Sequence, residues 1–134
     1  MRILALDYGS ARCGVALSDP TGTIATPLEP IARVATRAGL GRVAALVRER
    51  EIALIVLGLP LSLAGADTAQ TEETRAFAQR LRNRLPDVPV ELYDERLTTQ
   101  LAARDVSAVA SEDSRAAAHL LESWLAGGFR GSER

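Results

Sequence analysis

The sequence predicts an α/β protein with a mixed five-stranded sheet flanked by helices on both faces. Several short runs are apolar throughout, which is typical of strands that are buried on both sides. The later runs alternate with segments of helical periodicity, so we expect parallel strands joined by right-handed crossovers. The chain has 134 residues, of which 47% are hydrophobic and 25% charged, as suits one globular domain over residues 1–134.

The first two strands are predicted at residues 2–7 and 13–18, with a tight turn between them. Asp7 ends the first strand, and an acid in that position is not expected to face the core unpaired. It either points into a cleft, where a metal or a polyanion could meet it, or caps the turn. Gly9 and Gly14 lack a Cβ atom, so backbone or ligand can approach closely there.

The third strand is predicted over residues 23–31 and at an edge of the sheet. Pro27 and Pro30 cannot donate hydrogen bonds to a neighbouring strand, which excludes a central position. The first three strands therefore form an antiparallel meander. A helix follows over residues 36–50, where apolar residues recur at i, i+3, i+4 and i+7. Residues 52–57 are again apolar throughout and predict a central strand.

The second half of the chain continues the alternation of helices and strands. Residues 61–71 are predicted to form a loop that is long enough to be functional or mobile. A second long helix is predicted over residues 70–85 and a fifth strand over residues 90–93. A short helix over residues 97–106 and a last helix over residues 113–126 complete the predicted fold.

Composition excludes several classes of protein. The formal net charge is -1, so the chain is not a generically basic nucleic-acid binder, although all 16 basic residues are arginine. No apolar run approaches the roughly 20 residues that cross a bilayer, and the N-terminus lacks the layout of a signal peptide. We therefore expect a cytoplasmic protein without a membrane partner. The lone Cys13 lies in a predicted buried strand and is expected to be a small core residue.

Three acidic residues occupy comparable positions in the predicted fold. Asp7 ends strand one, Glu95 ends strand five, and Asp113 opens the last helix. Ligands of an α/β sheet gather beyond the carboxyl ends of its parallel strands, so we expect these carboxylates to converge there. Converging carboxylates repel one another unless a cation neutralises them, and hard oxygen ligands suit Mg²⁺ or Mn²⁺. Two such ions about 4 Å apart can clamp a phosphodiester, activate water and stabilise the leaving oxygen.

Each acid also has a structural explanation. Glu95 could pair with Arg96 at the surface, and Asp113 could owe its position to the favourable dipole of a helix N-terminus. Asp94 competes with Glu95 for the ligand role, because neighbouring residues on a strand point in opposite directions. The only histidine, His119, stands six positions after Asp113 and off its helix face. We expect it to be structural or to face solvent.

Four motifs, in order along the chain, resemble those of the YqgF/RuvX family. The resemblance covers nearly the whole sequence. The opening motif is Asp7-Tyr8-Gly9 with Arg12, Gly14, Ala16, Ser18 and Asp19, and the central motif is Gly58-Leu59-Pro60 with Gly65, Thr74 and Phe77. The third is Asp94-Glu95-Arg96-Leu97-Thr98-Thr99, and the last helix carries Asp113, Ala116, Ala117, Leu120 and Leu121.

The resemblance implies an RNase H-like fold, related to that of the Holliday junction resolvase RuvC. It assigns catalytic and metal-ligand roles to Asp7, Glu95 and Asp113. The residues that it makes candidates for contact with the substrate backbone, or for support of the site, are Arg12, Arg96, Thr98 and Thr99. One departure from the family pattern is Glu112, where a lysine is usual; it would weaken phosphate contact or add an acid to the site.

From the motifs we expect a divalent-metal-dependent nuclease that hydrolyses phosphodiesters with an activated water. RNA is the first candidate substrate, in particular the 5′ region of pre-16S rRNA. The alternatives are a resolvase acting on four-way DNA, which needs a two-fold dimer, and a non-catalytic RNA-binding scaffold. The opening hairpin also resembles that of actin-like ATPases, but those proteins need two such domains and this chain has room for one. The sequence is compatible with a monomer or a homodimer.

Overall fold

The computed structural model describes residues 1–97 and 112–127, and its sheet has the predicted strands. The strands are β1 (Arg2–Asp7), β2 (Arg12–Ser18), β3 (Ala25–Ala32), β4 (Ile52–Leu59) and β5 (Val90–Asp94). They lie in the order β3-β2-β1-β4-β5. β2 is antiparallel to both β1 and β3, whereas β4 is parallel to both β1 and β5. The mixed sheet, the opening meander and the edge position of β3 are therefore confirmed.

Helices flank this sheet on both faces, as predicted. Within the described residues they are α1 (Arg37–Glu49), α2 (Ala69–Arg84) and α3 (Glu112–Ala126). α2 begins inside the stretch predicted to be a loop, because Thr68 and Thr71 form a reciprocal capping box at its first turn. Of the short helix predicted over residues 97–106, only Leu97 is among the described residues, where it ends a 3-10 turn.

The core consists of two apolar clusters, one on each face of the sheet. Alternate residues of β1 serve the two clusters: Leu4 and Leu6 face α1 and α2, whereas Ile3 and Ala5 face α3. This alternation is the reason that β1 is apolar throughout. Cys13 is buried in the first cluster, so its predicted role as a small core residue is confirmed.

The parallel strands end together at one edge of the sheet, which we call the carboxyl edge. β4 extends two residues past the predicted end, because Gly58 pairs with Tyr93 and Leu59 pairs with Asp94 of β5. The carboxyl edge therefore holds the end of β1 on one side of β4 and the end of β5 on the other. None of the helices within the described ranges is long and apolar enough to span a membrane.

Candidate active site at the carboxyl edge

Asp7 and Glu95 meet across the end of β4 and share a hydrogen bond. Asp7 is the last residue of β1, as predicted. The prediction that Glu95 ends strand five is wrong by one residue: β5 ends at Asp94, and Glu95 begins a 3-10 turn. Gly58 makes room for this contact, since a Cβ atom there would lie 2.5 Å from Glu95 Oε2. The turn and the glycine together bring the two carboxyl groups into contact.

Burial and the neighbouring negative charges raise the pKa values of both carboxyl groups. Burial raises the pKa of Glu95 to about 7, and the negative charge of Asp7 adds to the effect. Burial also raises the pKa of Asp7, and the charge of Asp113 raises it further. The shared hydrogen bond acts in opposite directions, raising the pKa of Glu95 and lowering that of Asp7.

Asp94, the rival to Glu95 in the sequence, is held by Arg96. The guanidinium of Arg96 donates to Asp94 Oδ2 at 2.6 Å, and the Arg96 amide donates to Asp94 Oδ1 at 2.9 Å. These bonds lower the pKa of Asp94. Arg96 also donates to the carbonyl oxygen of Leu63 at 3.2 Å, which links the end of β5 to the loop before α2. Of the two acids, Glu95 is therefore the one that contacts Asp7, and Asp94 pairs with Arg96.

Asp113 approaches the pair from α3 but binds a different partner. Arg12 Nε donates to Asp113 Oδ2 at 3.1 Å. The N-terminus of α3 lies directly on β2 at Gly14, where a Cβ atom would be 1.9 Å from the Asp113 carbonyl oxygen. The amide of Val15 donates to Ser114 Oγ at 3.2 Å beside this contact. The close approach expected at Gly14 is therefore confirmed, and its partner is the backbone of Asp113.

A cavity of about 150 Å³ opens beside the acid pair, and His119 lines it. Its other lining residues are Asp7, Glu95, Ala116 and Leu120. Nε2 of His119 is buried and has no hydrogen-bond partner among the described residues. We expected His119 to be structural or to face solvent; the structure places it in the wall of this cavity, a location that the sequence analysis did not predict. The spacing of Ala116, His119 and Leu120, at i, i+3 and i+4, was the signal in the sequence that could have revealed it.

The donor atoms fit a hard divalent cation in kind and in charge. Asp7 and Glu95 offer carboxylate oxygens that repel each other unless a proton or a cation separates them. The third carboxylate is close enough for its charge to act on Asp7, yet it is bonded to Arg12. Accordingly, within residues 1–97 and 112–127 no three His, Cys, Asp or Glu side chains form a metal-binding group. Asp7 and Glu95 are in contact, whereas the side chain of Asp113 is bonded to Arg12.

The remaining residues singled out in the sequence do not converge on the pair. Arg12 and Arg96 are both bonded to aspartates, as described above. Glu112, the first residue of α3, is exposed. Thr98 and Thr99 lie outside the described residues, so their predicted contact with substrate stays a prediction.

Comparison with known proteins agrees with the motifs. The sequence profile of the RuvX family, described as Holliday junction resolvase, matches residues 1–127. A protein of Corynebacterium jeikeium is 41% identical over 92% of this chain and 85% of its own length. A protein of Thermobifida fusca is 47% identical over 85% of this chain and 70% of its own length. Both are named "Putative pre-16S rRNA nuclease".

The fold also matches solved structures. Thermus thermophilus RuvC in complex with a Holliday junction substrate superposes with a TM-score of 0.68 over 96% of each chain, at 13% sequence identity. A second structure of Thermus thermophilus RuvC superposes with a TM-score of 0.67. This likeness concerns the fold alone, and it confirms the predicted RNase H-like architecture.

Proposed function

The chain belongs to the RuvX family and is a nuclease, and from this premise we propose that it hydrolyses RNA with the help of a divalent cation. The substrate that we propose is the 5′ region of pre-16S rRNA. The observation that carries the proposal is the contact of Asp7 with Glu95 at the carboxyl edge, with Asp113 nearby. Paired acids of raised pKa in a cavity are a costly arrangement that is typical of functional sites.

Asp7 and Glu95 would hold the cation, with Asp113 as the third ligand. When bound, Mg²⁺ or Mn²⁺ supplies stabilisation of the phosphate charge and activation of a water molecule. A proton bound to the carboxyl pair has to leave before both groups can act as ligands. Because the pKa of Glu95 lies at about 7, this release costs little at neutral pH. Calorimetry in buffers of different ionisation enthalpy would detect the released proton.

The side chains of α3 would shape the space beside the scissile phosphate. Ala116 and Leu120 give the cavity apolar walls, which limit the access of bulk water and strengthen the charge interactions inside it. His119 lies in the same wall and carries the one polar side chain that α3 contributes to the cavity lining. We assign it to the environment of the acids rather than to a defined chemical step.

RNA is the first choice of substrate because the relatives described above carry the name of an rRNA nuclease. A four-way DNA junction is the second, and the description of the family favours it. A resolvase must cut two strands symmetrically and so acts as a two-fold dimer. A binding-only scaffold is the least favoured, since an acidic pair without a cation repels a polyanion.

The decisive experiment is a cleavage assay on three labelled substrates: an RNA spanning the mature 5′ end of 16S rRNA, a single-stranded DNA and a four-way junction. It compares the wild type with Asp7→Asn and Glu95→Gln, in Mg²⁺, Mn²⁺ or EDTA. The control is Asp19→Asn, a change of the same kind in a turn remote from the carboxyl edge. We expect cation-dependent cleavage of the RNA that both site variants lose and the control keeps. Cleavage that survives in Asp7→Asn would overturn the proposed site.

A further inference from the structure

Arg12 is bonded to Asp113, which is the third carboxylate of the proposed cation site. Its Nε atom donates to Asp113 Oδ2 at 3.1 Å, and this single bond joins the two side chains instead of a bidentate pair. Gly14 pairs with Asp7 across β1 and β2, and the backbone of Asp113 lies against Gly14. Asp113 is therefore beside the acid pair, while its side chain is bonded to Arg12.

The ion pair is weak enough to exchange partners. The side chain of Arg12 is 68% exposed and that of Asp113 is 40% exposed, so water screens their attraction. Exposed pairs of this kind contribute little to stability, so a cation that takes carboxylate ligands can compete with Arg12 for Asp113. The close contact of the Asp113 backbone with Gly14 fixes the start of α3, so an exchange of partners has to come from the side chain.

We propose that Arg12 and Asp113 form an exchangeable pair that couples cation binding to RNA binding. In the cation-free protein the charges of Arg12 and Asp113 neutralise each other. When a cation occupies the acid site, Asp113 turns towards it and the released guanidinium of Arg12 binds a phosphate of the RNA. This inference rests on the proposed function. It adds a cation-dependent RNA-binding role for Arg12 and the order in which the ion pairs are exchanged.

The proposal makes the contribution of Arg12 to RNA binding conditional on the cation. The affinity of a protein for single-stranded nucleic acid falls with salt, with a slope in log–log form of about 0.7 per neutralised phosphate. In Ca²⁺, Arg12→Gln should lower this slope by about 0.7, because one phosphate contact is lost. In EDTA the same substitution should leave the slope unchanged, since Arg12 is then occupied by Asp113. Asp113→Asn should raise the slope in EDTA, because it frees Arg12 without a cation.

The experiment measures binding of a labelled single-stranded RNA at several salt concentrations, in Ca²⁺ and in EDTA. The variants are Arg12→Gln, Arg12→Lys and Asp113→Asn, each checked for an unchanged melting temperature. Arg12→Lys retains the charge and should retain the slope. The matched control is Arg50→Gln, because Arg50 lies beside Met1 and Arg2 at the opposite edge of the sheet. It should give the wild-type slope in both buffers.

A second measurement tests the exchange without any RNA. Calorimetric titration with Mn²⁺ should show binding to Arg12→Gln that is about two- to fivefold tighter than to the wild type, as removal of an exposed competitor predicts. Two results would overturn the exchange. One is an Mn²⁺ affinity that Arg12→Gln leaves unchanged. The other is a salt slope that Arg12→Gln lowers by the same amount in Ca²⁺ and in EDTA, or that it lowers in neither buffer. Failure of the proposed function has a different signature, since cleavage would then survive in Asp7→Asn whatever Arg12 does.

Discussion

Two aspartates of the opening hairpin show how differently one residue type is used in this fold. Asp7 ends β1 at the carboxyl edge, whereas Asp19 follows β2 at the opposite edge, since the two strands are antiparallel. Asp19 accepts hydrogen bonds from the amides of Thr23 at 2.8 Å and Ile24 at 2.7 Å and from the Thr21 hydroxyl. These bonds hold the pKa of Asp19 below its usual range, whereas burial raises the pKa of Asp7.

The two carboxylates differ in the groups that surround them. Asp19 is provided with donors by its own turn, so its charge is stabilised locally and serves the fold. Asp7 has another carboxyl group, Glu95, as its partner and a third acid within electrostatic range. Such an arrangement costs stability in the cation-free protein and is repaid only by a ligand. An acid whose carboxylate is hydrogen-bonded by its own turn, such as Asp19, is structural. An acid that faces other carboxyl groups, such as Asp7, is a candidate for the functional site.

The largest effect is expected when the two aspartates are changed alike. Asp7→Asn should lower cleavage by about a thousandfold or more, because several kcal/mol of transition-state stabilisation depend on the site. Asp19→Asn should leave the cleavage rate unchanged. In EDTA the order should reverse for the melting temperature: Asp7→Asn keeps or raises it, whereas Asp19→Asn lowers it. Cleavage rates and melting temperatures measured on the same variants check both expectations. A loss of cleavage in Asp19→Asn as well as in Asp7→Asn would contradict the distinction between the two aspartates.

A second prediction concerns the packing of α3 on the opening hairpin, which a larger residue at Gly14 should disturb. Gly14→Ala places a Cβ atom against the Asp113 backbone and should destabilise the protein by roughly 1–3 kcal/mol, the usual cost of overpacking. Gly41→Ala, in α1, is the control, since nothing lies within 4 Å of its Cβ position. It should stabilise the protein by about 0.5–1 kcal/mol through the better helix propensity of alanine. Urea unfolding measures both, and equal effects would contradict the packing argument.

The pH dependence of stability sharpens the contrast between the two edges. The pKa of Glu95 is raised from 4.5 to about 7 in the folded protein, so folding takes up a proton between these values. In EDTA the free energy of unfolding should therefore fall as pH rises from 4.5 through 7. We expect about 1 kcal/mol, less than the raised pKa alone implies, because water screens this half-exposed group.

Glu95→Gln should remove this part of the pH dependence in urea titrations at pH 5 and pH 8. Asp19 acts in the opposite direction, because its pKa is lowered in the folded protein. Its contribution is present above the unfolded value of 3.8 and is lost as pH falls. An unfolding free energy that rises between pH 5 and pH 8 in EDTA, and does so equally in Glu95→Gln, would contradict the assignment.

The smallest expected effect concerns the cavity wall. His119→Leu removes a buried nitrogen that has no partner among the described residues, and it keeps a side chain of comparable size. We expect a stability gain of up to about 1 kcal/mol in the cation-free protein, since an unsatisfied buried polar group is costly. His119→Gln, which keeps a polar group, should show no gain. A destabilised His119→Leu protein, seen by thermal unfolding, would show that the imidazole is satisfied after all.

Much of the fold followed from short-range patterns. The apolar runs predicted β1, β2 and β4, and Pro27 and Pro30 correctly predicted the edge position of β3. Helical periodicity located α1 and α2 within one residue of their observed ends. In the structure these helices begin at capping residues that lie beside them in the sequence, Thr36 and Thr68. Asp7 could also be singled out from the sequence as a candidate site residue, since its position at the end of a buried strand is a local property.

The details of the site were not local and could not be derived in this way. Whether Asp94 or Glu95 meets Asp7 depends on the turn that follows β5 and on the space left by Gly58 of another strand. The pairing of Arg12 with Asp113 joins opposite ends of the chain through the contact at Gly14, and the position of His119 depends on the same docking of α3. Sequence patterns encode burial and periodicity along one segment, whereas these contacts depend on the directions of side chains from segments that only folding brings together.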